Sequence, residues 1–103
     1  MMKITITEQE GRMVATLAGK LDTVASNQAE RDLAPLFERN DCDVLFDCQE
    51  LSYISSSGLR LLLNVYRHVN SFGHTTFLAG LHSGSELYEA LELAGFFQLF
   101  KRV

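Results

Sequence analysis

The residues of this chain best equipped for chemistry are three consecutive hydroxyls, Ser55, Ser56 and Ser57, in the stretch "YISSSGLR" (53–60). A serine can be a nucleophile, a helix cap or a phosphate acceptor. As a nucleophile it is presented on a G-x-S-x-G elbow, and the first glycine of that pattern is missing here. It also needs a positioned base. Of the three histidines, His68 falls on the polar stripe of a predicted helix, and His74 and His82 fall in loops. Spacing brings none of them beside the serines, so hydrolase chemistry is not expected.

Other chemistries find no better footing. Asp41, Asp43 and Asp47 lack the length and central glycine of a calcium loop. The His, Cys and carboxylate residues are scattered without metal-ligand spacing. "SSSG" matches neither the P-loop nor G-x-G-x-x-G, so no dedicated phosphate cradle and no cofactor are expected. Cys42 and Cys48 fit neither C-x-x-C nor a zinc knuckle and read as reduced thiols of a cytoplasmic protein.

Capping and modification remain for the serines. One N-cap is worth ~1 kcal/mol and uses one hydroxyl, which leaves at least one of the three free. A phosphate on a free hydroxyl at a helix start is stabilised by ~0.3–1 kcal/mol through the macrodipole and the open N–H groups. A partner docked over it would instead meet a new charge of about −1.5 to −2.

The elements that must position these residues follow from periodicity. "KITIT" (3–7) alternates, and "MVATLAG" (13–19) follows across the short turn "EQEGR", which predicts an antiparallel hairpin. In 21–40, Ala29, Leu33, Leu36 and Phe37 share a helical face, and Pro35 should kink or split the helix. "DVLFDC" (43–48) reads as a strand covered on both faces, followed by the loop "QELSYISSSGL" (49–59). The clearest helix is "GLRLLLNVYRHVNSFG" (58–73), with Gly73 as its stop. "TTFLAG" (75–80) is another strand. Ser83 and Glu86 have capping-box spacing before "SELYEALELA", Gly95 is placed to end that helix, and "FFQLFKRV" reads as a last strand. The order β-β-α-β-α-β-α-β, with right-handed crossovers, predicts a mixed, mostly parallel α/β sheet of about five strands covered by helices. In such a sheet, functional loops lie beyond the carboxyl ends of the parallel strands, where "GKLDT" (19–23) and the serine segment both fall.

The chain has 103 residues, 47% apolar and 21% charged, which fits one domain over 1–103 with a core of its own. A net charge of −4 lacks the basic footprint of a nucleic-acid binder. No apolar run reaches membrane-spanning length, and the start shows no secretory h-region.

Three segments, "LAGKLD" (17–22), "LSYISSSGLRLLL" (51–63) and "LELAGFFQLF" (91–100), fall in the order and spacing of STAS domains. More narrowly, the chain resembles the bacterial anti-sigma-factor antagonists over nearly its whole length. The resemblance implies a switch protein rather than an enzyme. The unphosphorylated antagonist binds an anti-sigma factor that is also a serine kinase, phosphorylation breaks the complex, and a serine phosphatase restores it. Aligned on Gly58, the phosphorylated hydroxyl of the family falls on Ser56, with Ser57 and Ser55 as rivals. Ser57 is then the expected cap, and Ser55 stands where the family carries an aspartate. Asp22 matches a second functional loop, which implies partner contacts from Asp22, Thr23, Ser55, Ser57 and Gly58. On its residue type alone, Asp22 reads equally well as a turn or helix-start carboxylate. The alternative reading is a constitutive STAS subunit of a lipid-transport or transporter assembly. A nucleotide- or lipid-binding module is a third.

Overall fold

The computed structural model describes residues 2–103, so Met1 lies outside it. Strands β1 (Lys3–Gln9) and β2 (Arg12–Leu21) form the expected antiparallel hairpin. Its two-residue turn, Glu10-Gly11, has φ of 53° and 82°, the primed geometry that matches strand twist. Helix α1 (Thr23–Asp32) stops before Pro35, which sits in the first turn of a short α2 (Ala34–Phe37). Proline has no N–H to donate and its ring clashes with the preceding turn, so the expected split occurs.

Strand β3 (Val44–Ile54), helix α3 (Ser56–Ser71), strand β4 (Thr76–Ala79), helices α4 (Glu86–Leu93) and α5 (Phe96–Leu99) and strand β5 (Lys101–Arg102) complete the chain. The sheet order is β1-β2-β3-β4-β5, parallel everywhere except the hairpin. This is the mixed five-stranded sheet expected from the sequence.

Register shows how the core forms. The row Ile6, Ala15, Phe46, Leu78 crosses four strands, and its last three members are fully buried. The helices lay Ala29, Leu36, Leu62, Val65, Leu91 and Phe96 into the same cluster. The next row, Thr7, Val14, Leu45, Phe77, Lys101, points to the other face because side chains alternate along a strand. All the buried apolar side chains of the helices belong to the first cluster. Strand 43–48 is nonetheless shielded on both faces as expected, with Leu45 and its neighbour Val14 buried on the second face too; the helices line only the first, and on the second the Arg12 guanidinium lies 5.4 Å over the Phe77 ring.

Three boundaries differ from expectation. Residues 49–54, read as loop, continue β3. Eleven residues of β3 (44–54) run beside nine of β2 (13–21), with irregularities at Thr16/Ala18 and Gly19/Lys20. Those irregularities break the alternation that a strand reading depends on. The segment from Phe96 is not a strand until Lys101. Phe96 and Phe100 are spaced i, i+4 and stack with centroids 4.8 Å apart on the core, which makes the first turn helical. Finally, Ser85 rather than Ser83 caps α4, accepting from Tyr88 N at 3.1 Å. Gly95 ends that helix as expected, at φ 78°.

Candidate partner-docking site

Leu21 and Ile54 are register partners at the ends of β2 and β3, and Ser55 N donates to Leu21 O at 2.8 Å. The next residue on each strand is an N-cap. Asp22 Oδ1 accepts from Ala25 N at 2.8 Å to open α1, and Ser55 Oγ accepts from Gly58 N at 3.1 Å to open α3. Two helix starts thus lie side by side at one end of the sheet. Gly58 makes this approach possible. A Cβ there would stand 2.8 Å from both Ile54 Cγ1 and Leu21 Cγ, closer than real side chains come.

The serines divide their tasks differently from the expectation. Ser55, not Ser57, is the cap, and it is buried at 7% exposure. A serine accepts the same bond an aspartate would accept, so the departure at position 55 keeps the helix start intact. Ser56 is the first residue of α3, is exposed, and has no side-chain hydrogen bond among the described residues. Ser57 is half-buried and lines a groove with Thr23, Asn27 and Arg60 between α1 and α3. Of the expected contact residues, Thr23 and Ser57 face this groove. Asp22 borders a second hollow beside Lys20, Tyr53 and Glu86. Ser55 and Gly58 lie beneath the surface as framework.

Sequence reasoning missed the exposed apolar residues on the elements that flank the serines. Val24 is 87% exposed one residue into α1, Tyr53 is 48% exposed just before the cap, and Leu93 is 88% exposed at the end of α4. Their positions next to motif ends, off the buried face of each element, were the available signal. Among the described residues no side-chain hydrogen bond joins Ser56 to a histidine. His68 lies twelve residues along α3, about 18 Å away by helical rise. Its Nε2 is 2.7 Å from Arg39 O, and its ring packs edge-on to Phe37 and Phe72. His74 faces Asp43, with Nδ1 3.4 Å from Oδ1, and His82 is exposed. Among the described residues no cluster of three His, Cys, Asp or Glu side chains could hold a metal ion, and no helix is long and apolar enough to cross a membrane.

The end of the sheet thus presents two capped helix starts, the exposed Ser56 and exposed apolar side chains on the flanking elements. The STAS domain family profile matches residues 3–103, and the chain belongs to that family. It is 30% identical over 99 residues to BtrV of Bordetella bronchiseptica, provisionally named an anti-sigma factor antagonist, with 96% of this chain and 84% of that one covered. Its fold is that of an anti-sigma-factor antagonist STAS protein from Planctomyces limnophilus, with TM-score 0.86, 15% identity, and 96% and 87% of the two chains covered. The Bacillus cell fate determinant SpoIIAA in its phosphorylated form gives TM-score 0.72 at 17% identity, covering 98% and 91%.

Proposed function

We propose that this protein is an anti-sigma-factor antagonist that acts by binding, without catalysis of its own, and that is switched by phosphorylation of Ser56. The observation that carries the reading is the division of labour among the serines. Ser55 supplies the cap, so the exposed Ser56 is free to take a phosphate. The likeness to BtrV and to a STAS protein known in a phosphorylated form supports it.

In the unmodified state, Thr23, Val24, Ser57 and Tyr53 meet an anti-sigma factor that is also a serine kinase. The Ser56 oxygen attacks the γ-phosphorus of ATP, its proton passes to a base of the kinase, and ADP leaves. The phosphoserine then carries about −1.5 to −2 charge into a contact that cannot solvate it, and the complex separates. A serine phosphatase returns the hydroxyl by hydrolysis. The setting is cytoplasmic, the domain is 1–103, and neither a cofactor, nucleic acid nor membrane insertion enters the cycle.

The test is incubation with the cognate kinase and ATP, then site mapping by mass spectrometry, together with binding of Ser56→Asp to the anti-sigma factor. Phosphate on Ser56 and lost binding by Ser56→Asp are expected. Phosphate outside 55–57, or a principal partner that is not a kinase, sinks the switch. The second outcome is what the alternative, a constitutive subunit of a transport assembly, requires.

A further inference from the structure

Ser56 stands at one end of a solvent-open cleft of about 340 Å³ between α3 and the α4–α5 turn. Arg60, Asn64 and Arg67 follow along the α3 wall, and Ala94 and Phe96 face them. The chain carries net charge −4, yet this cleft is lined by two arginines and no carboxylate. Neither guanidinium has an ion-pair or hydrogen-bond partner among the described residues. The arginines so engaged are Arg31, Arg39 and Arg102. Glu30 of α1 lines the neighbouring groove that Arg60 also borders and forms no ion pair with it. The residues facing Arg60 from across the cleft, Ala94 and Phe96, are uncharged.

Positions 56 and 60 are one helical turn apart, with Cβ atoms about 6 Å from each other. Helical side chains lean toward the N-terminus, so the Arg60 side chain lies over the turn that carries Ser56. A guanidinium offers two parallel N–H groups to a phosphate, the strongest hydrogen-bonding match available to such an anion. We propose that Arg60 is the internal receptor for a phosphate on Ser56, a role that rests on reading Ser56 as the acceptor. Modification then changes the docking surface twice. It adds the phosphate charge, and it withdraws Arg60 from any carboxylate of a partner. Arg67 lies eleven residues from Ser56, about 16 Å along the helix, and adds charge to the cleft without touching the phosphate.

Phosphoserine installed at position 56 during translation of the full chain tests the pairing without any kinase. The phosphate's second ionisation, ordinarily near pH ~6, is followed by phosphorus NMR across pH. Its midpoint is expected about half a pH unit lower in the wild type than in Arg60→Ala, because the cation favours the dianion. Arg60→Lys should fall between them, and Arg67→Ala should match the wild type. Equal midpoints in the wild type and Arg60→Ala overturn the proposal, as does an equal displacement by Arg67→Ala. Either result leaves kinase phosphorylation of Ser56 standing. Failure of the kinase to modify Ser56 would remove the switch while this pairing remained measurable. Thermal unfolding of the unphosphorylated variants should give unchanged midpoints, since both arginines are exposed.

Discussion

At the scale of single residues, the three serines separate by what each oxygen touches. Ser55→Ala leaves Gly58 N without its acceptor at a buried helix start, and should cost about 1 kcal/mol in denaturant unfolding. Ser57→Ala, half-buried and outside the cap, should change stability by no more than about 0.5 kcal/mol. The reverse ranking would return the cap to Ser57. The cysteines can be treated in the same way. Burial, with the Asp47 charge behind it, pushes the Cys48 thiol up from its ordinary 9.0 to about 12. Well below the ordinary value of 9.0, both folded and unfolded chains hold a neutral thiol. Above that pH the unfolded chain gives up the proton and the folded one keeps it, so this group's contribution to stability falls as pH rises toward 12. Iodoacetamide at pH 8 should leave Cys48 unlabelled in the native protein and label it fully in denaturant, as read by intact mass.

At the scale of elements, the approach of α3 to the ends of β2 and β3 depends on Gly58. In Gly58→Ala the new methyl meets Leu21 and Ile54 from both sides, and the carbonyl of Leu21 at 3.0 Å limits their retreat. Overpacking of this kind costs about 1–3 kcal/mol, more than alanine's better helix propensity returns, so the denaturation midpoint should fall. An unchanged or raised midpoint would show that the helix can move away freely. The sequence placed the start of α3 within two residues because its apolar stripe is strong. It missed the extension of β3 through Ile54 because two register irregularities put Gln49 and Glu50, both exposed, inside a strand. Pattern reading sees an alternation, and a bulge erases it locally.

At the scale of the whole molecule, the sheet keeps its helices on one side, and its stability gathers around Phe46. That ring is fully buried in the central strand and packs near Phe100, with centroids 6.4 Å apart. Phe46→Ala should cost about 3–5 kcal/mol, a large part of the roughly 5–15 kcal/mol that holds a domain folded. A loss below about 1 kcal/mol, measured by chemical denaturation, would contradict a single shared core. The proposed docking end answers to a different experiment. Val24 and Leu93 are almost fully exposed, so Val24→Lys should leave the unfolding midpoint unchanged and weaken anti-sigma-factor binding about tenfold or more by calorimetric titration. Equal affinity would move the contact away from the α1 start.

Local order and composition were enough for the hairpin, the split at Pro35, the α3 stripe and the turn at Gly95. Each of these depends on period, on backbone chemistry or on spacing along the chain, which a sequence contains in full. Which serine caps and which is free was decided only by tertiary structure. The three hydroxyls are chemically identical, and the choice depends on where β3 ends against Leu21 and how closely Gly58 lets α3 approach. The pairing of the Asp22 and Ser55 caps is decided in the same way, through a parallel register between residues more than thirty positions apart. No local pattern records such a contact, because it forms only when the strands lie side by side.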